Sequence, residues 1–336
     1  MTTYSAARDS LEGLALGDGF GERWFPLFRS PQEAFTQIRA RRTPEEGPWH
    51  WTDDTAMALS VYGILTAFDA VHQERLAQAF AATYRADPGR GYGHGMHLLL
   101  PELGADPTRW RAAARELFDG QGSLGNGAAM RVAPLGAWFA PDLDEAAEQA
   151  ALSAEVTHAH PEGVAGAVAV ALAAALAARG RSGPAPAGAE LLAEVAGRTP
   201  AGEVRDGLRR AAELPAATEP WRAADLLGNG QRVRASDTVP FALWSAAHHV
   251  DSLTDALWTT AEGLGDVDTT CAITGGVVAA RTGLGGVPRT WLACREPLPD
   301  WVAAAEAEAG AGVAAEGKAA TEAGAADEAE TATGIG

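Results

Sequence analysis

Apolar side chains recur at every third or fourth position along most of the chain. Met57, Val61, Ile64, Leu65 and Phe68 predict a helix running from Thr55 onward. Leu76, Phe80 and Tyr84 repeat the spacing until Asp87-Pro88, where proline forbids continuation. Asp106-Pro107-Thr108 opens a further helix expected to reach about Phe118, and Asp142 is placed to cap one over Leu143 to Val156. Leu253, Leu257, Ala261 and Leu264 form another stripe. The 16 residues from Gly163 to Ala178 contain no polar side chain. That run is shorter than the roughly 20 residues that cross a bilayer, so it reads as a buried helix rather than a membrane span. Gly180 to Ala189 (GRSGPAPAGA) reads as a loop. Strand-like alternation is not sustained anywhere, and the expected fold class is all-α.

Composition narrows the chemistry. The chain has 336 residues, 47% of them hydrophobic, and a formal net charge of −18. Broad gripping of nucleic-acid phosphates rests on Lys and Arg, so a nucleic-acid partner is not expected. Lys318 is the sole lysine and follows no glycine-rich phosphate loop, which excludes Walker-type NTPase chemistry. Cys271 and Cys294 are too few for a disulfide framework or a cysteine zinc site. Met1 to Leu16 lacks a basic segment followed by an apolar run, so a cytoplasmic protein is expected. A monomer without membrane attachment is expected as well. From Ala303 to Gly336 seven acids stand against Lys318 with no aromatic residue. Such a segment buries too little apolar surface to offset its ordering entropy. The expected organisation is therefore one helical domain over 1–302 and a disordered acidic tail over 303–336.

Two acidic clusters stand before helices: Thr52-Asp53-Asp54-Thr55 and Gly265-Asp266-Val267-Asp268-Thr269-Thr270. Each alone reads as a helix cap with acids complementing the dipole. Taken together they are hard oxygen donors of the kind Mg²⁺ or Mn²⁺ selects, and meeting in space they could hold two ions between two helix starts. Two glycine-rich segments, Arg90 to Met96 and Gly120 to Gly127, offer backbone N–H groups to phosphate oxygens. The Gly120–Gly125 match to G-x-G-x-x-G is not a dinucleotide fingerprint, because no strand precedes it. Thr157-His158-Ala159-His160-Pro161 leads into the apolar helix, and Gly-Asn-Gly occurs twice, at 125–127 and 228–230.

These blocks resemble the ADP-ribosylglycohydrolase family in sequence and in order: GLALGDGFG (Gly13–Gly21), WTDDTAMALSV (Trp51–Val61), RGYGHGM (Arg90–Met96), GSLGNGAAMRVAPLG (Gly122–Gly136), THAHP (Thr157–Pro161) and GDVDTTCAITGGVVAA (Gly265–Ala280). The resemblance implies a compact orthogonal bundle of many helices with two Mg²⁺ or Mn²⁺ ions at its centre. It implies Thr52, Asp53, Asp54, Asp266, Asp268 and Thr269 as metal ligands. It implies substrate contacts at Gly91, Gly93, Gly95, Phe118, Gly122, Ser123, Gly125, Asn126, Gly127, Met130 and His158, with Ser123 and Asn126 hydrogen-bonding near the diphosphate. The implied partner is an ADP-ribosylated protein or an ADP-ribose-containing small molecule, and the implied reaction is hydrolysis of its glycosidic bond through an oxocarbenium-like transition state. One register departs. Several relatives carry Glu four residues after the last glycine of G-D-x-x-G, where this chain has Phe25, while Glu22 directly follows Gly21. Glu22 and Asp268 are then the carboxylates expected to serve catalysis. The acceptor is expected to be chosen by outer loops near Trp24, Trp49 and Trp221. Two rival readings are a silent ADP-ribose-binding or structural member of the family and a metal-free two-carboxylate glycosidase.

Overall fold

The computed structural model describes residues 3–43 and 47–303. Its helices are α1 (Thr3–Glu22), α2 (Pro31–Arg39), α3 (Asp53–Phe68), α4 (Gln73–Ala86), α5 (His94–Ala105), α6 (Trp110–Gly120), α7 (Ala133–Trp138) and α8 (Leu143–Glu155). They continue with α9 (Pro161–Arg179), α10 (Gly188–Arg198), α11 (Glu203–Glu213), α12 (Pro220–Leu227), α13 (Ala235–His248), α14 (Leu253–Ala261), α15 (Val267–Thr282) and α16 (Arg289–Cys294). Extended pairing among the described residues is limited to two isolated bridges, Trp49 with Arg295 and Gly125 with Arg234. The all-α expectation holds. Contacts divide the chain into Met1–Pro297, which carries these helices, and Leu298–Gly336. From residue 304 the expected tail lies outside the described residues.

The centre of the bundle is α1 against α15. Gly13, Gly17 and Gly21 stand four apart on one face of α1, and α15 comes so near that side chains cannot fit between. A Cβ on Gly17 would lie 2.1 Å from the Cys271 carbonyl oxygen, and one on Gly21 only 2.4 Å from that of Val267. Gly275 answers from α15, where a Cβ would meet Gly13 O at 2.3 Å. Backbone-to-backbone approach sets the two helices in one register, with Asp18 and Glu22 at the end where α15 begins.

α9 is long and apolar enough to span a membrane by composition, yet its residues from Ala165 to Ala178 are buried within the protein. Proline at its first position and the His160 side chain, which accepts from Glu162 N, fix its start. The expected helix ends need three adjustments. α8 stops at Glu155, one residue early. α10 begins at Gly188, inside the segment read as loop. In α6 the helical dihedrals fail at Leu117, and Phe118 and Asp119 turn left-handed with φ of 54° and 58°. The turn lifts Phe118 out of the helix face and leaves it 54% exposed.

Two tryptophans correct another expectation. Trp24 and Trp49 are 0% and 2% exposed and pack with Phe20, Trp258 and Trp291 in an edge-to-face aromatic cluster. They belong to the core rather than to outer loops. The same outer-loop role was expected of Trp221, which lies on α12 and is 43% exposed.

Candidate active site

The two acidic clusters meet. Thr52 is the N-cap of α3 and Asp266 that of α15, and the hydroxyls of Thr52 and Thr269 both point to Asp54 Oδ2, at 3.1 and 3.4 Å. Asp53, Asp54, Asp266, Asp268 and Thr269 line one end of a cavity of about 610 Å³. The same cavity is lined by Gly91, Gly93, Gly95, Phe118, Gly122, Ser123, Gly125, Asn126, Gly127, Met130 and His158. Thr52 and Glu22 face a second recess of about 450 Å³, shared with His50, Trp51, Arg90 and the two residues common to both cavities, Gly91 and Asp268. Asp268 and Gly91 thus form a wall common to two hollows.

The sequence reading missed the residue that anchors this arrangement. Asp18 on α1 is fully buried, and its Oδ2 accepts from Thr52 N (2.9 Å), Thr55 N (3.1 Å) and Thr55 Oγ1 (2.6 Å). Those two backbone donors belong to the start of α3, so Asp18 serves as a cap supplied by another helix. The available signal was its place in GLALGDGFG, the one polar residue in the apolar, glycine-lined Gly13–Gly21 stretch of α1. Arg90 secures the other side of the loop. Its carbonyl accepts from Asp53 N at 2.7 Å, its guanidinium stacks 3.7 Å from the Trp51 ring, and it pairs with Glu296 through two 2.8 Å bonds.

The two Gly-Asn-Gly repeats converge on Asp266. Asn126 Nδ2 donates to Asp266 Oδ2 at 2.7 Å and to Thr238 Oγ1 at 3.1 Å, and the Asn229 carbonyl accepts from Asp266 N at 3.0 Å. Asn126 therefore lines the cavity while its amide donates to the Asp266 carboxylate and the Thr238 hydroxyl. His158 is tied at Nδ1 to Thr157 Oγ1 (2.7 Å) and leaves Nε2 for the cavity. Arg131 is sealed behind the wall, bonding Thr157 Oγ1 and the Ser153 carbonyl and lying 4.3 Å above the Phe80 ring.

Burial and crowding raise every carboxyl of the cluster. Burial lifts Asp53 to about 8, with Asp18 and Asp266 adding repulsion. Asp54 and Asp268 rise well above the usual carboxylate range for the same reasons, burial first and then their acidic neighbours. Asp18 rises to about 6 by burial, and burial also raises Asp266. Oδ1 of Asp54, Asp268 and Asp18 is buried with no hydrogen-bond partner. Among the described residues no three Asp, Glu, His or Cys side chains stand as a ready metal-binding group. The donor chemistry nevertheless fits a divalent cation: orphaned hard oxygens, flanking hydroxyls, and like charges that need a counter-charge to ionise together.

The fold and this cavity define an all-helical protein with an acidic site at one end of a glycine-lined pocket. A family model for ADP-ribosylglycohydrolase matches residues 1–321, and the chain belongs to that family. It is 31% identical to human ADP-ribosylhydrolase ARH3 over 269 residues, covering 72% of this chain and 73% of that one. Identity to the Xenopus tropicalis ADP-ribosylhydrolase ARH3 is 40% over 119 residues, 35% of this chain and 34% of the relative. A solved structure described as an ADP-ribosylglycohydrolase-related protein complex superposes with a TM-score of 0.59 at 23% identity, covering 88% and 93% of the two chains, and shares the fold.

Proposed function

We propose that the protein is a metal-dependent ADP-ribosyl hydrolase that cleaves the glycosidic bond between ADP-ribose and a modified side chain, of arginine or serine type, or a small acceptor. The observation that carries this reading is the meeting of Asp53, Asp54, Asp266 and Asp268 at one end of a glycine-walled cavity large enough for a nucleotide-sized ligand. Thr52, Asp53, Asp54, Asp266, Asp268 and Thr269 would hold two Mg²⁺ or Mn²⁺ ions. Such ions, when bound, neutralise the clustered carboxylates and supply Lewis acidity beside the anomeric carbon.

The chain's own groups do the rest. The backbone of Gly122 to Gly127 and the Ser123 hydroxyl receive the diphosphate, and Phe118 and Met130 offer apolar surface. His158 Nε2 stays uncharged at neutral pH, because burial and then Arg131 push its pKa down to about 3, so it hydrogen-bonds without adding charge. The acceptor side of the bond points into the second recess, where Asp268 borders both hollows. Glu22 stands there half-buried with its pKa raised by burial and then by Asp18, a state suited to delivering a proton to the leaving group. Asp268, on the shared wall, positions the attacking water.

A panel of arginine-, serine- and small-molecule ADP-ribose conjugates, assayed with Mg²⁺, Mn²⁺ or EDTA, tests the reading. Cation-dependent release of ADP-ribose from one class is expected, with Glu22→Gln slowing turnover on that substrate. Tight binding of ADP-ribose without release from any conjugate would leave a silent binding member of the family instead.

A further inference from the structure

The cavity poses an electrostatic problem that the carboxylate end cannot answer alone. A diphosphate is strongly anionic, the chain is at −18, and the glycine wall offers dipoles but no net charge. Arg131 is fully buried behind the wall and bonded there. Among the described lining residues, the side chains with a permanent positive charge are Arg232 and Arg234. Both are exposed, and neither guanidinium makes an ion pair or hydrogen bond with a described residue. They also border an outer recess with Glu203, Asp206, Asp225 and Asp237, yet their bonds to those residues run through the backbone: Arg232 N–H donates to Asp237 Oδ2 at 2.9 Å, and the Arg234 carbonyl accepts from Asp237 N at 3.0 Å.

The segment between them is fixed in place. Val233 has φ of 54°, a left-handed conformation that a β-branched residue seldom adopts, and is 54% exposed. Its N–H donates to the Gly230 carbonyl at 2.6 Å, and its carbonyl accepts from Asn126 N at 3.3 Å. Ala235 N donates to the Leu124 carbonyl at 3.0 Å, beside the bridge between Gly125 and Arg234. The arginines are thereby presented on a rigid ledge stitched to the glycine loop, with their charged ends unspent. An apolar side chain in strained backbone, exposed between two unpaired cations, contributes little to the core.

We propose that Arg232 and Arg234 form a diphosphate clamp, closing over the phosphates that the Gly122–Gly127 loop receives from the other side and setting the preference for nucleotide diphosphates. The inference rests on the ADP-ribose reading of the cavity. Guanidinium groups suit the task because they bind phosphate oxygens through paired N–H donors and keep their charge at all working pH values.

Calorimetric titration of the full chain with ADP-ribose tests this, comparing wild type, R232A/R234A and R232K/R234K in low and high salt. The double alanine variant should bind about tenfold more weakly or worse at low salt, and the gap should narrow as salt screens the charges. The double lysine variant should recover part of the affinity, since it restores the charge but not the paired donors, and a purely structural role for the ledge would not allow that rescue. Wild-type affinity in the alanine variant, or a loss that ignores salt and is not recovered by lysine, overturns the clamp while leaving the ADP-ribose reading standing. Failure of the wild type to bind ADP-ribose in any salt overturns both.

Discussion

Asp18 shows how one side chain can hold a site it does not enter. Its Oδ2 receives three hydrogen bonds from Thr52 and Thr55 while Oδ1 stays buried and unpaired. Asp18→Ala strands those three donors in the interior and should cost about 2–4 kcal/mol. Asp18→Asn keeps an acceptor at the same place and removes a charge that opposes Asp53 and Asp54, so it should unfold within about 1 kcal/mol of wild type. Chemical denaturation of both variants checks the contrast. His158 supplies a pH-dependent counterpart. An unfolded imidazole titrates near 6.5, whereas the buried one stays neutral down to about 3. Its contribution to stability is complete above pH 6.5 and is lost as pH falls through the window toward 3, because the unfolded chain then binds a proton that the native state refuses. From pH 7 to 5 that loss is about 2 kcal/mol, and urea unfolding should show wild type losing this much more than His158→Phe.

At the scale of elements, the contact between α1 and α15 decides where the chemistry sits. Helices normally pack 8–10 Å apart with side chains between them. Here Gly13, Gly17 and Gly21 admit a nearer approach, so the start of α15 reaches Asp18 and Glu22. Gly17→Ala places a Cβ 2.1 Å from the Cys271 carbonyl, a clash with backbone that rotamer changes cannot relieve. It should destabilise the protein by about 3 kcal/mol or more and abolish ligand binding with it. Gly104→Ala, also helical, meets nothing nearer than the Ala81 Cβ at 3.7 Å. There the gain in helix propensity should stabilise by about 0.5–1 kcal/mol. Thermal melts of the pair separate helix propensity from packing distance. Both expected acidic clusters sit at helix starts as their sequences indicated, but the stitching of Asp266 by Asn126 and Asn229 depends on loops more than a hundred residues apart in sequence.

For the molecule as a whole, the proposed cation site would link folding to cation binding through its crowded carboxylates. A cation that binds the native cluster and not the unfolded chain stabilises by mass action. Millimolar Mn²⁺ or Mg²⁺ should therefore raise the melting temperature by several degrees, reversibly with EDTA. Asp268→Asn should erase that rise together with turnover. A variant that loses turnover but keeps the full thermal response would remove Asp268 from the ligand set and leave it a role in the reaction alone.

Hydrophobic spacing, Pro and Gly punctuation and six ordered motifs were enough to settle an all-α family fold. The family resemblance carried by those motifs also named many, though not all, of the residues that line the main cavity. Helix ends moved by one or a few residues, as at Phe118 and Gly188, where left-handed turns and neighbouring packing override local propensity. Trp24 and Trp49 could not be placed from sequence, since an aromatic residue in a loop-like stretch reads alike whether it joins a core or faces a partner. What Asp18, the twin asparagines around Asp266 and the Arg232–Arg234 ledge do in the fold was not legible along the chain, for one reason. Each acts on a segment remote in sequence, and only the close glycine-to-backbone packing of the folded chain brings those segments within hydrogen-bonding distance.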